Sequence, residues 1–463
     1  MSPQLPECVD VVVVGAGMSG LCASITALEA GATVITLEKG TRFGGSMFLS
    51  QGFIWNFLDM RMLKRKVPDG DESLQALIIK EADAARAWLQ GQGVELGPEV
   101  GFMDFGRGRT AQPPQLTDAL VSRVRELGGH LCLNAPMLGL HGDDGNVRGV
   151  TVGASTGPMM VSSSAVVLAS GGFQGNAELL TRYVTRHADK LYLRANPWST
   201  GDGLLAAQAL GAATTPYMNT FYGHTLVAPP ARISPFQFLE ATQRYGPSAV
   251  ALNLDGRRFT DESAGSGEEW LNQEIAQQEQ ATAVYVIDSA IAEIPPISLE
   301  FPLTRVVVER ARDLGGPVVT ADTLEELSLR MADWGIPHQR SLKTLRDYNS
   351  AINSGSDLSP SRASNRSALT HPAFTAVLVR AGITFTCGGL LVDTDMRVLS
   401  RASSSATLPL AAALPDEFVW GYVNGLYAAG SDVGGMSNYG YIGGLAPALV
   451  TGRRAGTTAA ADR

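Results

Sequence analysis

Residues 9–38, VDVVVVGAGMSGLCASITALEAGATVITLE, restrict the fold of this chain more than any other stretch. Val9 and the run Val11 to Val14 are apolar and β-branched, which predicts a parallel strand buried on both faces. The chain then turns through Gly15, Gly17 and Gly20. The first glycine permits a tight turn, the second lets backbone approach a pyrophosphate, and the third lets the following helix pack close to the strand. That helix, predicted over 18–30, aims its first N–H groups, from Met18 and Ser19 onward, and its positive dipole end at the phosphates. Gly31 stops it, and a second strand over 33–37 delivers Glu38, whose carboxylate can accept both hydroxyls of an adenosine ribose. Strand, glycines, helix, strand and acid in this order make a dinucleotide-binding unit, for NAD or FAD alike.

The residues after Glu38 separate these two. They read Lys39-Gly40-Thr41-Arg42-Phe43-Gly44-Gly45-Ser46, then MFLSQG to Gly52. This stretch resembles the fumarate reductase and succinate dehydrogenase flavoprotein family, in which E-K-x-x-x-x-G-G-[ST] continues the FAD site from ribose towards flavin. The resemblance implies FAD, with contacts from Lys39, Gly44, Gly45, Ser46 and Gly52. Further segments extend it. A buried strand over 165–168 (AVVL) ends in Ala169, Ser170, Gly171 and Gly172, and the segment from Asn196 to Gly203 is similar to the family's TGDG motif near the flavin, adding Asp202. The family's Ala-Gly-Glu near the ribityl chain reads Ala429-Gly430-Ser431, with Asp432 next in line for the role of the Glu. Gly443 and Gly444 precede a helix over 445–455 that resembles the flavin-facing helix of the family. Its N-terminus, at Gly444 and Leu445, would hold the charge that collects on reduced flavin near N1 and O2. No histidine stands near residues 45–52, where succinate dehydrogenase relatives attach flavin, so the FAD is expected to be non-covalent.

At 463 residues the chain exceeds one ordinary core and should hold two domains. Helical spacing of apolar residues predicts helices over 72–90 and 116–127. Strands over 138–141, 147–152 and 159–162 follow, joined by turns at 142–146 and 155–158, and such a meander between core strands is how dinucleotide-binding flavoprotein domains look. From about 221 to 384 proline and charge increase. A Thr323/Glu326 capping box opens an amphipathic helix with Leu324, Leu327, Met331 and Trp334 on one face, and a second helix over 342–352 stops at Gly355. The expected fold is α/β: a Rossmann-like FAD-binding domain of the glutathione reductase type over 1–221 and 385–463, with an inserted α+β cap over 222–384.

Composition narrows the partners. A formal net charge of -9, with no basic run longer than Lys64-Arg65-Lys66, argues against nucleic acid. No apolar stretch reaches the roughly 18 residues of a membrane span, and no signal peptide is recognisable, which makes the cytoplasm the default location. Cys8, Cys22, Cys132 and Cys387 lack CxxC or His-rich spacing, so neither a metal site nor a disulfide framework is expected.

The family resemblance implies flavin redox chemistry at a carbon-carbon bond beside an activating group, on a small-molecule substrate, with an unknown electron acceptor. Several of the family's charged site residues are replaced. The general-acid Arg expected beyond Gly256-Arg257-Arg258-Phe259-Thr260-Asp261-Glu262 falls on Ser266, a substrate-binding His falls on Phe385, and a carboxylate-binding Arg falls on Tyr441. His224 retains the place of a substrate-binding His at the start of the cap, beside Tyr222. The last segment is instead similar to the ketosteroid dehydrogenase branch, where a Tyr and a Gly four residues on hold a carbonyl. Tyr439 and Gly443 have that spacing, and a phenol O–H with a backbone N–H can both donate to one ketone oxygen. Phe221-Tyr222-Gly223-His224 and Asn438-Tyr439 are also similar to tricarballylate dehydrogenases, whose substrate is highly charged. Apart from Arg232 and Arg244 the cap entrance offers few cations, which favours a neutral carbonyl compound. The bland readings stay open beside these: Tyr439 as packing, His224 as a hydrogen-bonded boundary residue, Tyr222 and Tyr217 as core, Cys387 as a small buried filler. The expected activity is desaturation α,β to a carbonyl, with hydride passing to flavin N5. An ene-reductase and a flavoprotein with structural FAD are the alternatives.

Overall fold

The computed structural model describes residues 5–143, 145–297, 301–401 and 420–463. Val11–Val14 (β1) is wholly buried and lies between two parallel neighbours, Val34–Leu37 (β2) and Ala165–Leu168 (β3). Each is an unbroken apolar or β-branched run because both faces of a parallel sheet are covered. Trp420–Ala428 (β4) adds in parallel to β3. The full order is His130–Cys132, β2, β1, β3, β4, Asn146–Ala154, Met137–Asp143, with Gly157–Ser162 and Arg397–Arg401 pairing at the side. The meander expected between core strands is therefore present, though its strands run further than predicted and Asp144 of the expected turn lies outside the described residues.

Met18–Glu29 (α1) and Leu445–Ala461 (α2) cross with their backbones nearly touching. A Cβ on Gly452 would stand 2.3 Å from the Ser19 carbonyl oxygen, and one on Gly456 would stand 2.2 Å from that of Ala23. Small residues at the crossing continue α2 six residues beyond the predicted 455. The predicted helices over 72–90 and 116–127 are Glu72–Gly91 and Pro113–Glu126.

The middle of the chain builds its own antiparallel sheet, in the order Leu226–Val227, Phe374–Arg380, Thr282–Ile287, Val250–Leu252, with Val318–Ala321 on Phe374–Arg380. Against it lie Glu268–Ala276, Thr304–Asp313 and Leu324–Met331, with His338–Ser354 packed on Leu324–Met331. Thr323 caps as its spacing predicts, its hydroxyl accepting from Glu326 N–H at 3.1 Å, and Gly355 ends the last helix at φ +70°. The Gly256 to Glu262 motif serves this interior: Arg258 donates to buried Glu262 at 2.6 Å, and Arg362 approaches the same carboxylate at 3.5 Å. Where the chain passes between the two sheets, Phe221–Tyr222 pairs antiparallel with Phe385–Thr386, and Tyr192–Leu193 pairs with Gly382–Ile383. Those two short ladders bring Arg194, Tyr222 and Phe385, far apart in sequence, to one wall. Among the described residues no helix is long and apolar enough to cross a membrane.

Candidate active site

A cavity of about 420 Å³ runs from the C-terminal end of β1, past the N-termini of α1 and α2, to the inner wall of the cap. Crevices at the carboxyl ends of parallel strands are where open α/β sheets bind ligands. Gly15 (φ +103°) turns so tightly that a Cβ would stand 2.2 Å from the Ala169 carbonyl oxygen, and at Gly20 it would stand 1.9 Å from that of Gly15. At Gly17 the nearest atoms are 4.0 Å away, so backbone faces open space. No side chain caps α1 there, which leaves its first N–H groups for an anion. Glu38, buried at the end of β2, accepts from Ala16 N–H at 3.0 Å and Gly40 N–H at 2.7 Å. An ionised carboxylate has about four acceptor positions, so two remain for ribose hydroxyls. This cradle fits FAD.

Gly15, Gly17, Met18, Ser19, Glu38, Lys39, Gly45, Ser46, Ala169, Gly171, Asp202, Gly430, Gly444 and Leu445 all line the cavity, with Lys39 paired to Asp202 at 2.6 Å. The other expected cofactor residues shape it from behind. Gly20 seats α1, Gly44 (φ +102°) donates to the Ala16 carbonyl at 2.8 Å, and Gly52 (φ +70°) packs against Ala111. Gly172 and Asp432 belong to one clamp. The buried Asp432 carboxylate accepts from the N–H groups of Ser170, Gly171 (3.3 Å) and Gly172 (3.1 Å) and from the Ser170 hydroxyl (3.0 Å). Its acceptor capacity is spent on the turn after β3, and Ser431 faces the cavity instead.

The cap end carries a buried chain of hydrogen bonds. The phenol oxygen of Tyr222 is 2.8 Å from Nε2 of His224, and Nδ1 of His224 bonds one carboxylate oxygen of Glu268. The other oxygen accepts from Thr225 N–H at 2.8 Å. A carboxylate at Nδ1 fixes the tautomer: Nδ1 donates, and Nε2 accepts the Tyr222 O–H. Tyr441 stacks on Tyr222 with ring centroids 3.9 Å apart and planes at 12°, and both Trp55 and Tyr222 act on its phenol as hydrogen-bonding neighbours. Phe385 lies 5.1 Å from the Tyr222 ring.

Electrostatics divide these groups. Burial pushes His224 below its ordinary value, opposed by Glu268, and pushes the Tyr222 phenol well above its own. Half-buried Glu269, beside Glu268, is pushed up to about 8, first by desolvation and then by its neighbour's charge. Its carboxyl is therefore protonated near neutral pH. Two guanidiniums also face the cavity: Arg194 lies over the Phe238 ring at 4.7 Å, and Arg244 over Phe301 at 5.1 Å. Among the described residues neither pairs with a carboxylate.

The expected Tyr439 and Gly443 pair is not brought to this cavity. Tyr439 (φ +55°) turns its ring to Trp270 at 5.1 Å and its hydroxyl to Asn219 at 3.4 Å, while its carbonyl accepts from Ser266 at 2.6 Å. Gly443 (φ +90°) passes behind Trp55. Tyr441, at the place expected of a carboxylate-binding Arg, does line the cavity, stacked on Tyr222. Tyr217 is 52% exposed rather than core, and Arg232 is exposed away from the cavity. Cys387 is buried, its thiol pushed up to about 11 by desolvation. Sequence reasoning passed over Arg194, Trp55, Glu268 and Glu269. Gly267-Glu268-Glu269 carried a signal, but acids in a first helical turn read as partners of the helix dipole.

Known proteins resemble this chain over nearly all of its length. A family model described as FAD binding domain matches residues 10–445. A probable fumarate reductase of Shewanella frigidimarina is 28% identical over 98% of this chain and 75% of its own length. The 3-oxosteroid 1-dehydrogenase of Mycolicibacterium smegmatis is 23% identical over 98% of each chain. The open conformation of a flavocytochrome c3 fumarate reductase superposes with a TM-score of 0.67 at 27% identity, covering 98% of this chain and 78% of that one.

Proposed function

The chain belongs to the FAD binding domain family and is an FAD-dependent oxidoreductase of CH–CH groups; from that premise we propose that it desaturates a carbonyl compound between its α and β carbons, with Tyr222 as the base. The observation that carries this reading is the Tyr222, His224, Glu268 chain opening on the cavity. Because the Tyr222 proton already points at Nε2, the phenol oxygen turns a lone pair to the cavity. It can take the α proton while its own proton passes to His224. Glu268 stabilises the imidazolium that results: the proton taken from the substrate adds one positive charge to the wall, and the imidazolium–carboxylate pair that holds it is net neutral. Tyr441, whose phenol has Trp55 and Tyr222 as its neighbours, can turn its O–H to donate to the carbonyl oxygen on which charge builds. FAD, when bound, supplies the acceptor for the hydride that leaves the β carbon.

Anaerobic mixing of the holoenzyme with saturated carbonyl compounds tests this. Flavin bleaching by wild type that is lost in Tyr222→Phe, at unchanged FAD content, is the expected result. Equal bleaching in the variant would remove Tyr222 from the chemistry. The reverse reaction, reduction of an activated double bond, is the second reading, favoured by a relative named as a fumarate reductase and by a phenol held protonated. Reoxidation of dithionite-reduced enzyme by the unsaturated partner, faster than desaturation, would establish it. A flavin that responds to neither would be structural.

A further inference from the structure

We propose that the substrate is a carboxylate with an apolar body, its carboxylate held between the guanidiniums of Arg194 and Arg244. The proposal rests on the reading above only in placing the substrate at the cap end of the cavity. Arginine stays charged in proteins, so both positive charges are permanent. A guanidinium drawn out of water needs an anion or hydrogen-bond acceptors. Arg194 donates no side-chain hydrogen bond among the described residues, and Arg244 makes one weak contact, to the Leu239 carbonyl at 3.5 Å. Aromatic rings, rather than carboxylates, hold both in position. They are close enough for each to feel the other's charge, and Arg194 also acts on the phenols of Tyr222 and Tyr441. The two cations therefore share a space with the proton relay.

The nearby acids do not neutralise them. Glu268 is committed to His224 and the Thr225 N–H. Glu269 holds its proton to about 8. Two positive charges against one negative leave the chamber with a net positive charge, which a monoanion cancels. The FAD pyrophosphate is not that anion, because its cradle at Gly15 to Ser19 lies at the opposite end, under β1. Leu239, Phe301, Phe385 and Trp55 supply an apolar wall for the remainder of the substrate. The neutral substrate expected from the sequence followed from counting cations within the cap entrance. Arg194 precedes the cap in the chain and enters through the ladder at Tyr192–Leu193.

Ligand-induced changes in the flavin absorbance of oxidised holoenzyme read binding without turnover. The probes are 3-phenylpropionate, its isosteric neutral amide 3-phenylpropanamide, and succinate. The anion should bind roughly 10- to 100-fold more tightly than the amide, the range of a charge-assisted hydrogen bond. Arg194→Gln and Arg244→Gln should each erase most of that difference, weakening the acid far more than the amide, at unchanged FAD content. If a variant fails to load FAD, the wild-type comparison still decides. Equal affinity for acid and amide, no perturbation by any carboxylate at millimolar concentration, or an acid preference that survives both substitutions would overturn the proposal. Tighter binding of succinate than of 3-phenylpropionate would overturn the apolar body. Loss of bleaching activity with the acid preference intact would instead count against the desaturation reading alone.

Discussion

Glu268→Gln tests the part of the relay that stabilises charge. The amide is isosteric and can still accept from Thr225 N–H, so the start of Glu268–Ala276 keeps its anchoring. What it removes is the negative charge facing the imidazolium, together with the acceptor at Nδ1 that fixes the tautomer, since the amide NH2 then faces that nitrogen. At about 4 Å and an effective dielectric near 20, that attraction is worth about 4 kcal/mol. At about 1.4 kcal/mol per decade this is nearly three decades in rate. Glu269 offsets part of the loss: it is raised partly by its neighbour's charge, and without that charge it ionises at lower pH and restores some negative potential. Flavin reduction should therefore fall roughly 100- to 1000-fold near neutrality, and the residual rate should climb as pH rises and Glu269 deprotonates. Anaerobic stopped-flow bleaching at saturating substrate, with FAD content and ligand affinity measured separately, is the assay. Wild-type turnover in Glu268→Gln would show that no imidazolium forms, and the proton route through His224 would fall with it.

Glu38→Ala should weaken FAD binding by about 1.5–3 kcal/mol, the range for hydrogen bonds to a charged group, read as a dissociation constant on reconstituted apoprotein; acid precipitation of the wild type should leave no colour in the pellet. Tyr439→Phe removes a hydroxyl that faces Asn219, so turnover should stay close to wild type, whereas Tyr441→Phe should lose roughly 100- to 1000-fold if its O–H serves the carbonyl oxygen. The opposite ranking would restore the clamp expected from sequence. Glu269 titrates higher in the fold, at about 8, than when unfolded, so its contribution to stability is full below the unfolded value and drains away as pH rises through about 8. The melting temperature of Glu269→Gln should accordingly decline less than that of wild type over this window; parallel curves would mean that Glu269 is ionised in the native protein. His224, lowered by burial, works the other way: the unfolded chain binds the extra proton, and stability is lost as pH falls below about 6.5.

The cofactor half was legible because its determinants are local. Gly15, Gly17, Gly20 and Glu38 act through backbone positions a few residues apart, and the sterics that demand glycine at Gly15 and Gly20 leave the same signature in any chain. Asp432 shows the limit of this reasoning. Its place beside Gly430 suggested the cofactor, yet the turn after β3 presents unpartnered N–H groups that take up its carboxylate first. The cap sheet was less visible, since Thr282–Ile287 is a wholly buried run and one of its two partners, Phe374–Arg380, lies almost a hundred residues away.

The substrate end could not be assembled from spacing, because no two of its elements are neighbours in the chain. Tyr222 and His224 come from the first crossing between the sheets, Arg194 from the end of the short ladder at Tyr192–Leu193, Arg244 from a cap loop, Glu268 from a helix start, and Tyr441 from the return segment. Tyr439 and Tyr441 make the difficulty concrete. The left-handed backbone at Tyr439 reverses the chain between them, so one ring meets Trp270 on the cap and the other stacks on Tyr222 in the cavity. A motif that fixes the distance from a tyrosine to a glycine does not fix that reversal. The reversal is itself secured by a tertiary contact, the Ser266 hydroxyl on the Tyr439 carbonyl, at the position where the family resemblance implied a catalytic arginine. Replacing that arginine by a serine removes a charged donor from the chemistry and supplies a short one to the backbone. On this reading the proton function passes to Tyr222, and the positive charge to Arg194 and Arg244.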